Sequence, residues 1–105
     1  MLKTCRTAAD YRLFALANTK PPKPGLVRTP GYSGPGIETE IWGLTATAFG
    51  EFVAEVPYPM GIGTVTLDDG SEVKGFLCEV SVLDGARDIT EFGGWRAFRA
   101  ATIVP

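Results

Sequence analysis

One segment constrains the fold of this chain more than any other: GIGTVTLDDGSEVKGFLCEV, residues 61–80. Two runs of alternating character, 61–67 and 72–80, flank Asp68, Asp69 and Gly70. Aspartate and glycine are the residues that tight reversals demand, because glycine adopts positive φ freely and aspartate bonds to its own backbone. The segment therefore predicts a β-hairpin with its turn at DDG.

The rest of the chain supplies partners for that hairpin. YRLFAL, residues 11–16, reads as a strand. NTKPPKPG follows as a stiff loop of polyproline character, either a rigid connector or an SH3-type ligand. GLVRTP is a short strand or extended arm stopped by Pro30, and GYSGPG is a turn. IETEIWGL, residues 37–44, alternates: Ile37, Thr39, Ile41 and Gly43 share one face, and Glu38, Glu40, Trp42 and Leu44 the other. Gly43 suggests a bulge or a close backbone approach. In residues 45–56 the period changes, and Phe49, Phe52, Val53 and Val56 take the spacing of a helix face. Thr45 or Thr47 caps that helix and Pro57 ends it. LDGARD reads as a helical turn and loop, and Trp95 to Ala101 as a short terminal helix. The order strand, arm, strand, helix, hairpin, helix is that of a single α+β domain spanning residues 1–105, with no internal repeat.

Composition narrows the chemistry. The chain has no histidine, which removes Ser-His-Asp and Cys-His nucleophiles and the commonest zinc ligand. No metal or cofactor is expected. The net charge of −2, without a basic stripe, argues against nucleic-acid binding. No apolar run suffices to cross a bilayer, and the N-terminus lacks the apolar core of a signal peptide, so the expected compartment is the cytoplasm. Cys5 and Cys78 stand alone, and a buried inert thiol is the plain reading of Cys78.

Four places carry candidate chemistry. Gly61, Ile62 and Gly63 lie on a strand rather than at a strand-to-helix turn, so GIG is not a dinucleotide fingerprint. These glycines either leave room for a ligand against the sheet or mark a bend with nothing bound. In TEFGGW, Gly93 and Gly94 precede a helix and would offer bare N–H groups to a carboxylate, with Arg96 adding a planar cationic fork. The alternative is a tight turn, with Trp95 in the core and Arg96 solvated. Glu55, closing the first helix, is either a general base or a surface carboxylate. Glu38 and Glu40 share one strand face, either as paired carboxylates or as an ordinary solvated face. Asp68, Asp69 and Glu72 form an acidic turn with too few ligands for calcium.

Four strings, CRTAADYRLFAL, KPGLVR, GIGTVTLDDGSEVKGFLCE and GARDITEFGGWRAF, resemble the C-terminal domain of allophanate hydrolase, in that family's order from about Arg6 to Phe98. The resemblance implies a gamma-glutamylcyclotransferase-like fold: a small mixed or antiparallel β-barrel with two or three short helices and an anion-friendly pocket. In the family this domain is joined to an amidase-signature domain and decarboxylates N-carboxycarbamate in urea and s-triazine nitrogen catabolism. The family domain opens with a further strand and a histidine-bearing loop that have no counterpart here, so decarboxylation by that route is not expected. The amidase serine and lysine machinery is also absent, so the chain does not itself hydrolyse allophanate. The expected role is a degenerate or accessory one that binds a small carboxylate, with Tyr11 and Tyr58 as hydroxyl donors beside Gly61, Ile62, Gly63, Gly93, Gly94, Trp95 and Arg96. Two rivals accompany it: a cyclotransferase-like enzyme with Glu55 as acid/base, and a module pairing with an amidase partner protein. A sheet short of one strand exposes an edge that must be covered by the chain's own N-terminal residues, a second copy or a partner. A two-fold homodimer is the expected solution.

Overall fold

The structure is a computed structural model that describes residues 2–17, 19, 22–58 and 60–102. Asn18, Lys20 and Pro21 of the proline-rich loop, with its SH3-ligand reading, and Pro59 of PYPM lie outside the described residues.

Among the described residues seven strands and two helices follow in order: β1 (Lys3–Arg6), β2 (Tyr11–Ala15), β3 (Pro24–Arg28), β4 (Glu38–Ile41), α1 (Ala46–Ala54), β5 (Met60–Thr66), β6 (Glu72–Cys78), β7 (Arg87–Asp88) and α2 (Trp95–Thr102). Single 3₁₀ turns occupy Val80–Val82 and Thr90–Phe92. The strands form three antiparallel ladders, β1–β4, β3–β2–β7 and β5–β6. The domain is thus a small mixed α/β unit of antiparallel sheets and two helices.

The hairpin falls where its turn chemistry puts it. Leu67 and Ser71 close the reversal, with the Leu67 N–H donating to Ser71 at 2.8 Å, and Gly70 takes φ +87°. The Asp69 carboxylate accepts the Ser71 N–H at 2.9 Å, which rigidifies the turn. In the ladder Gly63 faces Gly75. A Cβ on Gly63 would stand 2.7 Å from Leu77, so the glycine makes room for that side chain.

β1 and β7 are additions to the expected elements. β1 pairs along β4, Lys3 opposite Ile41 and Arg6 opposite Glu38. The chain's own N-terminal residues thereby cover one side of β4. The β4 ladder ends at Ile41, so Gly43 stands beyond the strand, beside Leu2, instead of forming a bulge within it. β1 leads into Thr7, which bridges Leu67 of the hairpin turn. Thr7 is 1% exposed, and its hydroxyl accepts the Ile37 N–H at 3.0 Å, satisfying a donor that burial would otherwise strand. On the far side β3 approaches β6 closely: a Cβ on Gly25 would lie 2.9 Å from Cys78 Cβ.

The core forms where β2, the hairpin and α2 meet. Tyr11, Leu13, Ile37, Val65, Ile89 and Phe98 are its buried members. Phe98 meets Phe92 edge-on at 5.3 Å between centroids and Trp95 at 5.6 Å. These ring contacts fix α2 on the body. Thr90, also buried, accepts the Leu13 N–H on its hydroxyl at 3.0 Å and so ties the approach to α2 onto β2.

The first helix differs. Thr45 caps it, its hydroxyl accepting the Ala48 N–H at 3.1 Å, yet no residue of α1 is fully buried. Among the described residues no helix is long and apolar enough to cross a membrane.

Candidate functional site

Two concavities adjoin β4. The larger is a cleft of about 950 Å³ between α1, the end of β4 and the hairpin, walled chiefly by Ile41, Trp42, Leu44, Phe52, Ile62 and Phe76. The smaller, about 170 Å³, is polar and lies where β4 meets the start of α2. Glu38, Thr39, Glu40, Trp95 and Arg96 line it. Glu40 lines both.

The polar pocket is built by a glycine-mediated contact. Gly93 sits at φ +76°, in the left-handed region that lets the chain reverse between the 3₁₀ turn and α2. Its carbonyl accepts the Glu38 N–H at 2.7 Å and its N–H donates to Thr90 at 3.0 Å. Gly94 lies flat on β4: a Cβ there would stand 3.1 Å from Glu38 Cβ. The Arg6 guanidinium braces the junction by donating to Gly36 O at 3.1 Å.

This geometry corrects the expectation of bare amides at the doublet. Both glycines are buried, neither lines either of these two concavities, and the Gly93 donor is already used. The physical reason is register. The helix starts only at Trp95, and the doublet serves the close approach of two backbones.

The other candidates separate. Tyr11 is fully buried, and its hydroxyl accepts the Thr66 N–H at 2.9 Å, so it braces β5 and offers nothing to a pocket. Tyr58, 69% exposed, lines neither cavity. Glu55 ends α1 in the solvent, its N–H donating to Phe52 O at 3.1 Å, and it too faces neither cavity. Of the β5 trio, Ile62 lines the large cleft, Gly61 borders open space, and Gly63 accommodates Leu77. Cys78 is buried, and that burial pushes its thiol up, as suits an inert packing residue.

Trp95 and Arg96 do come together with β4. An Arg96 guanidinium nitrogen lies 2.6 Å from a Glu40 carboxylate oxygen, while the Trp42 indole N–H donates to the other oxygen at 3.4 Å. The Arg96 side chain is 78% exposed, so this is a solvent-screened ion pair worth on the order of 0–1 kcal/mol. In the sequence Glu40 reads equally as one of a carboxylate pair or as part of a solvated face. Only the fold brings it to Arg96.

The arrangement can be set against known proteins. The model of the allophanate hydrolase C-terminal domain matches residues 1–100. The chain belongs to the allophanate hydrolase C-terminal domain family. Saccharomyces cerevisiae urea amidolyase is 43% identical to this family member over 100 residues, covering 92% of the chain but 5% of the yeast protein. A Kluyveromyces lactis allophanate hydrolase structure superposes on this allophanate hydrolase C-terminal domain with TM-score 0.89 at 39% identity, over 95% of the chain and 17% of the other. A uropathogenic E. coli-specific protein superposes with TM-score 0.82 at 34% identity, over 94% of this chain and 75% of that one. The chain thus spans about one-twentieth of the curated relatives it matches.

Proposed function

We propose that this chain acts in urea and allophanate nitrogen metabolism as an accessory unit that binds a small carboxylate at Arg96. The single observation that carries the binding assignment is the solvent-facing Arg96 guanidinium, paired with Glu40 across the polar pocket. Family membership over residues 1–100 supplies the metabolic context, as do the urea amidolyase and allophanate hydrolase relatives.

The chemistry follows from the weakness of the Arg96–Glu40 pair. Water screens it, so an incoming carboxylate competes for the guanidinium at small cost. The planar fork has five N–H donors and binds a carboxylate through two of them. Trp95 contributes an apolar wall. Glu38 and Glu40 oppose a second negative charge at the same spot, which favours a compact ligand that displaces Glu40 over a large polyanion. Binding is assigned to this site; no proton-transfer step is.

We read the three ladders as arcs of an open, cyclotransferase-like barrel. The Thr7–Leu67 bridge and the Gly25–Cys78 approach support that reading, because each joins one ladder to the next. The compartment proposed is the reducing cytoplasm, where Cys5 and Cys78 persist as free thiols.

The test is calorimetric titration with malonate, a stable dicarboxylate with the shape of N-carboxycarbamate. Binding that weakens with salt and disappears in Arg96→Gln is the expected result. Binding unchanged in Arg96→Gln, or none to the wild type at millimolar ligand, overturns the assignment.

A further inference from the structure

The start of α2 is tied back to β2 by a chain of hydrogen bonds that runs through Asp88, which lines neither concavity. An Arg12 guanidinium nitrogen lies 2.8 Å from one Asp88 carboxylate oxygen. The Tyr32 ring lies 3.8 Å from that guanidinium and covers one face of it. The other Asp88 oxygen accepts both the Thr90 N–H, at 2.9 Å, and the Thr90 hydroxyl, at 2.5 Å. The Thr90 carbonyl accepts the Gly93 N–H at 3.0 Å, and the Gly93 carbonyl accepts the Glu38 N–H at 2.7 Å. Two residues, Thr90 and Gly93, thus separate the Asp88 carboxylate from the strand that carries Glu38 and Glu40. Burial alone would raise the Asp88 carboxyl, yet Thr90 and Arg12 outweigh it and keep the group below the ordinary carboxylate range, so it is charged at neutral pH.

We infer that Asp88 is a positioning residue for the Arg96 site: through Thr90 and Gly93 it sets the register of α2 against β4 and so holds the guanidinium opposite Glu40. The inference rests on the carboxylate reading of that site. Its physical basis is the difference between packing and hydrogen bonding. Phe92, Trp95 and Phe98 hold α2 on the core, but apolar contact is non-directional and tolerates a sliding helix. Hydrogen bonds are directional and weaken steeply with misalignment. Thr90–Phe92 is a single 3₁₀ turn, whose own bonds have poor geometry, so its orientation depends on what grips its first residue. Thr90 is gripped by Asp88 and by the Leu13 N–H, which donates to its hydroxyl at 3.0 Å. Loss of the Asp88 carboxylate strands a donor pair on a residue that is 3% exposed. The turn then rotates to satisfy them, and Gly93 moves with it. The exposed Arg96–Glu40 pair is too weak to restore the register by itself.

Malonate calorimetry and amide NMR on Asp88→Asn, Arg12→Gln and Asp10→Asn test the relay. Asp10 pairs with Arg28 at 3.0 Å away from the relay, so its variant controls for the loss of a surface ion pair. Malonate affinity is expected to fall about tenfold in Asp88→Asn, by less in Arg12→Gln, and to hold in Asp10→Asn. In both relay variants the Glu38 amide proton should move upfield and exchange faster without ligand. The Thr66 amide, bonded to the Tyr11 hydroxyl, should stay protected. General destabilisation would quicken both amides together, and that result overturns the positioning role. Malonate affinity unchanged in Asp88→Asn overturns it as well, as does a Glu38 amide that stays still. Should Asp88→Asn unfold, Arg12→Gln decides on the same two readouts. A wild type that binds no malonate removes the carboxylate reading, and the ligand-free Glu38 amide then decides the relay alone.

Discussion

The main-chain N–H of Glu38 donates to the carbonyl of Gly93 at 2.7 Å, and Gly94 lies flat against the same residue. This contact joins the outer side of β4 to the start of α2 and so sets the distance between Glu40 and Arg96. The doublet that looked like a receptor in the sequence is the joint that positions one.

Replacing either glycine tests that joint. In Gly93→Ala the left-handed φ of +76° strains any Cβ-bearing residue, at about 1–2 kcal/mol. For a domain of this size that is on the order of 5–10 °C in Tm. Gly94→Val adds a side chain where even a Cβ would press on Glu38, and the expected loss in thermal denaturation is at least as large.

Tyr11→Phe removes the hydroxyl that accepts the Thr66 N–H and leaves that donor without its partner. The expected cost is about 1–3 kcal/mol, read as a lower denaturant midpoint with an unchanged slope. Anion binding should survive, since Tyr11 lines neither cavity.

Asp88 is one source of acid sensitivity. Burial by itself would raise its carboxyl, but the Thr90 hydroxyl and N–H and the Arg12 guanidinium outweigh burial and hold it below the ordinary carboxylate range. A depressed native value stabilises the fold above the unfolded value of about 3.9. That contribution fades as pH falls through the native value. Chemical denaturation across the acid range should show a shallower loss of stability in Asp88→Asn than in the wild type.

The hairpin, α1 and β2 were legible because their signals are local: an Asp-Asp-Gly turn, a Thr45 cap and an alternating run. β1 was not. Lys3, Thr4 and Arg6 are exposed and Cys5 only half-buried, so no apolar alternation announces the strand. It exists because β4, far along the chain, offers it a ladder. β7, of two residues, likewise depends on β2. The role of Gly93 and Gly94 failed to show in sequence for a related reason: an anion-binding terminus and a close backbone approach both ask for glycine, and only the position of Glu38 decides between them. Arg96 was legible as a cation, whereas its partner Glu40 was not, because the fold alone brings them to 2.6 Å.

The point at which a small carboxylate touches the protein separates an Arg96 site from a glycine-doublet site. Amide and side-chain NMR shifts during a malonate titration measure this. The predicted result is saturable movement of the Arg96 side-chain and Trp95 indole signals, with the Gly93 and Gly94 amides nearly still and all movement lost in Arg96→Gln. Dominant shifts at the Gly93 and Gly94 amides that persist in Arg96→Gln would contradict it.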